Sequence, residues 1–258
     1  MLTGRGGGRP LLLAYQCDYR CVSAEWGDTS PTLVLEHLLH YRVTVPRPRL
    51  HDREHVLDVA EQLVIDSGLQ RLTVRRLSTA SGVPNGALYH AFGSLAALRA
   101  EIWLRAAIEF LDLQTELIED TLSTGQESAD DAVVAAADAP AVFAERRLAA
   151  ARMLMTVPRE QLLGPELPTD LADALSGLDQ KLVSSVLCRL ATAMWGRCDG
   201  ASVEVITTCV VDLPTALFRR ALSQVTPDGT VPITRDVRMR LAAAVRAVVD
   251  RAPPPRPS

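Results

Sequence analysis

The sequence predicts an all-α protein in two parts: an N-terminal three-helix module containing a helix-turn-helix, and a larger helical domain behind it. Two observations set the class and a third sets the division. Leu and Ala dominate a chain that is 48% hydrophobic but only 4% aromatic. Alternating β-branched runs are scarce, while apolar residues recur at spacings of three and four. One stretch, Thr73 to Phe92, reads as two short helices around a tight turn.

Residues 1–50 fit nothing that follows. Gly4 to Pro10 is glycine-rich, Pro31 to Tyr41 carries a short helical pattern, and Pro46-Arg47-Pro48-Arg49 resembles a linker. The expectation is a disordered extension, or a translation start near Val43 or Val45. Its arginines would suit a minor-groove arm. Cys17, Cys21, His37 and His40 do not make a zinc finger, because the two histidines are only three apart and the flanking structure is weak. No metal and no cofactor are expected.

The first clear helix runs from about Asp52 to Ser67. Val56, Val59, Ala60, Leu63 and Val64 form its apolar stripe, and Gly68 ends it. Thr73 suits the next N-cap, and Val74 and Leu77 share a face. Gly82 falls where the turn needs a positive φ, and Pro84 is tolerated in a first helical turn. Leu88 and Phe92 point inward, leaving Asn85, Ala87, Tyr89 and His90 on the outer face. The second helix of such a motif, Pro84 to His90, enters the major groove of DNA.

Charge agrees with that reading. From Ser67 to Ala100 there is no Asp or Glu, but there are Arg71, Arg75, Arg76 and Arg99, and a phosphate backbone requires such a patch. The candidate DNA contacts are Thr73, Arg75, Pro84, Asn85, Gly86, Ala87, Tyr89, His90 and Ser94. Tyr89 offers a hydroxyl to phosphate and a ring to a thymine methyl, His90 a donor, and Asn85 a bidentate reader of adenine. The same residues also fit a plain helical hairpin whose arginines are solvated and whose Tyr89 ring is partly buried.

The run from Arg53 to Trp103 resembles the N-terminal domain of the tetracycline-repressor-like (TetR) family of transcription regulators. The resemblance is carried by Ser67-Gly68, Leu72-Thr73-Val74-Arg75, Ser81-Gly82-Val83, Gly86-Ala87-Leu88-Tyr89-His90 with Phe92, and Ser94 before Ala97-Leu98. Ala91 stands where the family often has an aromatic, and Leu95 where it often has a lysine on a DNA phosphate. The resemblance implies a homodimer on a double-stranded palindromic operator. It also implies a small-molecule effector in the larger domain, apolar in character, whose binding makes the protein release DNA.

Beyond Phe92, Gly93-Ser94 caps a long helix from about Leu95 to Asp120, with Leu98, Ile102, Ile108 and Leu111 on its core face. Ser123 to Ser128 is a polar break. A helix over Ala129 to Ala137 follows, and Pro140 restarts one that runs to about Thr156. After the proline-rich loop Val157 to Pro168, a long helix spans about Thr169 to Gly196. Ser202 is read as the cap of the next helix, which Pro214 bends. The last helix spans about Thr234 to Asp250. The pair from Thr169 onward forms an antiparallel hairpin, packed within one subunit or, as the resemblance implies, against its copy. The domains expected are 1–50 as extension, 51–94 for DNA binding, 95–250 for ligand binding and dimerisation, and 251–258 as tail.

Five cysteines, an odd number, make no disulfide framework, and a reducing cytoplasm fits best. No apolar run is read as long enough to span a bilayer, so no membrane is expected. With no P-loop, dinucleotide fingerprint or His-Glu-x-x-His, no enzyme is expected. Asp138, Glu145, Arg146, Arg147 and Arg152 are read as pairs along one helix. Trp103, Phe110, Gln114, Phe143, Arg152, Met153 and Met155 are the candidate ligand pocket, though the same set also reads as plain core.

Overall fold

The computed structural model describes residues 50–123, 128–157, 159–162, 167–223 and 233–251. The expectations for residues 1–49, for the break at 124–127 and for the tail from 252 lie outside the described residues. Among the described residues every regular element is helical.

Helix α1 (Leu50–Ser67) buries Val56, Leu57, Ala60 and Val64. It stops at Gly68, whose φ of +84° is open to glycine and whose N–H donates to the Val64 carbonyl at 2.7 Å. A single 3-10 turn (Leu69–Arg71) leads to α2 (Val74–Ser81), and α3 (Asn85–Phe92) follows. Leu77, Leu88 and Phe92 are buried in the core, as the spacing predicts. Helix α4 (Leu95–Ser123) is 29 residues long, roughly 43 Å at 1.5 Å per residue. It starts in the head and ends in the body. Ile108 does not lie on its core face: it is 38% exposed, while Ala106, Ala107 and Leu111 turn inward.

Helix α5 (Ala129–Arg146) packs along α4, and α6 (Leu148–Thr156) rests on both α1 and α4. Pro140 does not restart a helix: α5 runs straight through it and breaks at Arg147. A proline inside a helix leaves the carbonyl four residues earlier without its N–H. That carbonyl is Ala136 O, and the buried Gln114 Nε2 of α4 donates to it at 2.8 Å. The defect is thus repaired by a neighbouring helix.

Helix α7 (Thr169–Leu182) continues through a π segment (Val183–Leu187) into α8 (Cys188–Trp195), which ends at Gly196 in the left-handed region. Helix α9 (Gly200–Thr207) likewise passes through a π segment (Thr208–Asp212) into α10 (Leu213–Ser223). The N-cap of α9 is Asp199, not Ser202. Asp199 accepts from the Ser202 N–H at 2.9 Å, and Ser202 Oγ accepts in return from the Asp199 N–H at 2.9 Å. Gly200–Ser223, 24 residues, is long and apolar enough to cross a bilayer by length and composition, contrary to the sequence reading. Over half of its apolar window is buried in this fold. Helix α11 (Arg235–Val249) closes the body against α5, with Thr234 as its cap.

Two further readings are corrected. Cys188 and Cys198 are joined as a disulfide with Cα atoms 5.0 Å apart, which the odd cysteine count gave no hint of. The charges of α5 pair between helices rather than along one. Asp138 and Glu145 hold Arg238 of α11, Arg146 meets Glu116 of α4, and Arg147 meets Glu61 and Glu109.

Candidate nucleic-acid interface

The outer face of α3 is assembled by local chemistry. Thr73 caps α2, its Oγ1 accepting from the Arg76 N–H at 3.3 Å. Gly82, at φ +72°, turns the chain and donates to the Ser78 carbonyl at 2.9 Å. Pro84 is the N-cap of α3 rather than its first residue. Leu88 and Phe92 anchor α3 inward, so Asn85, Gly86, Ala87, Tyr89 and His90 are all exposed, Tyr89 to 54%. Pro84, Thr73 and Arg75 are exposed beside them. Ser94 is half-buried, and its Oγ is already used in accepting from the Ala97 N–H at 3.0 Å.

The four arginines of this region divide by role. Arg76 Nη1 donates to Ser67 Oγ at 2.9 Å and to the Arg71 carbonyl at 3.1 Å. Arg99 Nη2 donates to the Leu72 carbonyl at 2.7 Å, and burial lowers its pKa. These two brace the backbone ahead of α2. Arg71 and Arg75 are exposed, on a surface whose sequence has no carboxylate from Ser67 to Ala100.

Sequence reading missed Arg53. From α1, its Nη1 donates to the Ala91 carbonyl at the end of α3 at 2.5 Å. Its Nη2 reaches both oxygens of Glu101 at 2.6 Å, and its guanidinium lies 4.5 Å from the Phe92 ring centroid. One side chain thereby fixes the outgoing end of α3 to α1 and α4. No local signal announces a partner 38 residues away.

A second cluster joins head to body. Glu61 of α1 is 2% exposed and accepts from Arg105 of α4 at 3.0 Å and from Arg147, at the α5–α6 break, at 3.0 Å. Arg105 also meets Glu54 and Asp58, and Arg147 also meets Glu109. Burial pulls the Arg105 guanidinium down, but hydrogen bonds to Asp58 and Glu61 outweigh it and leave its pKa raised.

Of the pocket candidates, Phe110, Phe143 and Met155 come together, the two rings edge-on at 5.6 Å. With Pro140, Ala151, Leu154 and Leu222 they line an apolar cavity of about 30 Å³. Trp103, Gln114, Arg152 and Met153 are not in that lining. Trp103 is fully buried and donates from Nε1 to the Val157 carbonyl at 3.2 Å, which ties α4 to the end of α6. Met153 and Arg152 are buried in α6. Gln114 serves the Pro140 defect through Nε2, while its buried Oε1 accepts no hydrogen bond.

Fold and site together define an all-helical protein with a helix-turn-helix head on a larger helical body. Residues 56–102 match the family described as "Bacterial regulatory proteins, tetR family", so the head is a TetR-family N-terminal domain. The whole described fold is similar to that of a transcriptional regulator from Pseudomonas aeruginosa PAO1, with a TM-score of 0.56 and 16% identity over 81% of this chain and 93% of that one. It is similar also to a TetR-family transcriptional regulator from Rhodococcus sp., with a TM-score of 0.53 and 17% identity over 78% and 100%. A third is a TetR-family transcription regulator from Shewanella sp. PV-4, with a TM-score of 0.52 and 16% identity over 77% and 95%. At these identities the likeness is one of fold. No curated protein matches the sequence significantly.

Proposed function

We propose that this protein is a homodimeric transcription regulator that reads a palindromic DNA site with α3 and acts as a repressor. The observation that carries the reading is the exposure of Asn85, Tyr89 and His90 on α3, in a stretch of chain that also exposes Arg71 and Arg75 and has no carboxylate from Ser67 to Ala100. Such a face supplies both terms that duplex recognition needs: side chains able to meet base edges, and cations that displace counterions. The expected contacts are Thr73, Arg75, Pro84, Asn85, Gly86, Ala87, Tyr89, His90 and Ser94. Ser94 Oγ accepts from the Ala97 N–H, which leaves its O–H to donate to a phosphate.

Pairing of subunits through α7–α8 and α9–α10 is supported by half-buried apolar side chains there, among them Val183, Met194, Trp195, Leu213 and Leu217. In this reading the division is 51–94 for DNA and 95–250 for pairing and effector, in the cytoplasm where the genome lies. Control by a small apolar effector is supported by the cavity between α4, α5, α6 and α10. At about 30 Å³ it holds roughly two waters by the criterion of about 10–15 Å³ each. An effector must therefore push its walls apart. Helix α6 is one wall and also rests on α1, so an effector that opens the cavity favours a different seat for the head. The same small volume favours a second reading, a regulator without effector. A compound that raises the melting temperature decides for the first.

The test is selection of bound duplexes from a random DNA pool by purified protein, with Tyr89→Ala as control. Recovery of a palindrome that the variant loses is the expected result. A folded dimer that recovers nothing at low salt overturns the reading.

A further inference from the structure

We propose that Cys188 and Cys198 form a reversible thiol–disulfide switch that changes the protein's DNA affinity, an inference that rests on the DNA-reading proposal above. The bond closes a ten-residue loop: Cys188 is the first residue of α8, and Cys198 immediately precedes Asp199, the N-cap of α9. It therefore fixes the corner between two consecutive long helices.

Three observations mark the pair as reactive. Cys198 is exposed and Cys188 half-buried, so a thiol in solution reaches the Cys198 sulfur. Cys198 lies at the N-terminal end of α9, between Arg197 and Asp199, which pair at 3.0 Å and hold the corner in place around the sulfur. The remaining described cysteine is the opposite case. Cys209 is fully buried in the π segment before α10, and burial pushes its thiol up to about 12. A protein that reads DNA works among thiols kept reduced, and disulfides there are mostly transient or sensing.

The chemistry is balanced by thiols and peroxide. A glutathione thiolate attacks the Cys198 sulfur, the S–S bond breaks, and Cys188 leaves as a thiolate that takes a proton from water. A second glutathione releases Cys198 and forms glutathione disulfide. In the other direction, the Cys198 thiolate attacks hydrogen peroxide and becomes a sulfenic acid, releasing hydroxide. Cys188 thiolate then attacks the sulfenic sulfur, the S–O bond breaks, and the oxygen leaves as hydroxide, which takes a proton from solvent to become water.

The corner is mechanically connected to the head. Arg189, next to Cys188, pairs with Glu119 of α4 at 2.7 Å, and Lys181 of α7 pairs with Asp112 of α4 at 2.7 Å. Helix α4 is the one that leaves the head, so a corner tied or freed alters the support on which α3 is presented.

The experiment uses the full chain after millimolar glutathione or after stoichiometric hydrogen peroxide. Free thiols are trapped with N-ethylmaleimide and located by peptide mass mapping, which separates Cys17 and Cys21. Cys188 and Cys198 are expected to be labelled after glutathione and protected after peroxide, while Cys209 is labelled only in denaturant. Affinity for the selected duplex is expected to differ threefold or more between the two forms, with no difference in Cys198→Ser or Cys188→Ser. A bond that survives glutathione, thiols that stay free after peroxide, or equal affinities of the two forms overturns the proposal. If neither form binds any duplex, the DNA reading falls and the affinity claim with it, while the thiol map still judges the chemistry of the pair.

Discussion

Head and body handle their arginines differently. In the body, positive side chains meet carboxylates from other helices: Arg147 with Glu61 and Glu109, Arg238 with Asp138 and Glu145, Arg159 with Asp179, Arg246 with Asp131. In and around the head, Arg53 does pair with Glu101 of α4, but Arg76 and Arg99 donate to the chain's own backbone, and Arg71 and Arg75 stand on a surface without local acids. A charge neutralised inside the fold stabilises or specifies packing. A charge left on the surface is available to an anionic partner. The acidic total of the chain, -4, therefore conceals a local excess of the opposite sign.

The largest test of this contrast is Trp103→Ala. The side chain is fully buried and bridges α4 to the end of α6. Its loss is expected to lower stability by about 3–5 kcal/mol, read by urea or thermal unfolding, and to disturb every function together. If unfolding is unaffected, the head–body junction is not packed as described. Next comes Glu61→Ala. Removing a buried partner can cost about 3–5 kcal/mol when a charge is stranded. Here Arg105 keeps Glu54 and Asp58, and Arg147 keeps Glu109, so about 2–3 kcal/mol is expected. A loss below about 0.5 kcal/mol would place this cluster with ordinary surface pairs.

In the head the prediction reverses. Tyr89→Ala is expected to leave stability within about 0.5 kcal/mol, since the ring is 54% exposed. Duplex affinity should fall by about 1–3 kcal/mol, roughly five- to 150-fold, as seen in binding titrations. Arg75→Ala should weaken binding across sequences and reduce the salt slope by about one. A Tyr89 variant that unfolds easily but binds normally would make that ring structural, the alternative its sequence pattern also allowed.

What could be read from sequence follows the same division. The Thr73 cap, the Gly82 turn and the inward Leu77, Leu88 and Phe92 depend on neighbours within a few positions, and spacing alone reveals them. Arg53 on Ala91, Glu61 on Arg147 and Asp138 on Arg238 join residues 38, 86 and 100 positions apart. Nothing local distinguishes such arginines from solvated ones. Pro140 misled for a related reason. Its helix-breaking tendency is local, but the Gln114 amide that offsets it comes from another helix. Of the pocket candidates, Phe110, Phe143 and Met155 line the cavity, a placement that periodicity alone does not distinguish from solid core, which is where Trp103 and Met153 went.

The smallest effect compares two helix caps, one in each part. Thr73 caps α2 with a hydroxyl, and Asp199 caps α9 with a carboxylate. Replacing either by Ala is expected to cost about 1 kcal/mol at pH 7. Their responses to acid should differ. Backbone hydrogen bonding from Ser202, with its hydroxyl and Arg197 adding to it, holds the Asp199 carboxyl below its usual range. A carboxylate with a depressed folded pKa contributes its stability above the unfolded value of about 3.9, and loses it as pH falls through the lower folded value. The Asp199→Ala penalty should therefore shrink as the pH is lowered below about 4, while the Thr73→Ala penalty stays constant because the hydroxyl does not titrate. Glu119 and Asp131 are likewise depressed by Arg189 and Arg246, so the wild-type protein also weakens in acid; the quantity to compare is each variant's difference from wild type by urea unfolding at pH 7 and pH 3. An Asp199→Ala difference that is the same at both would mean the cap acts through the shape of the turn and not through charge.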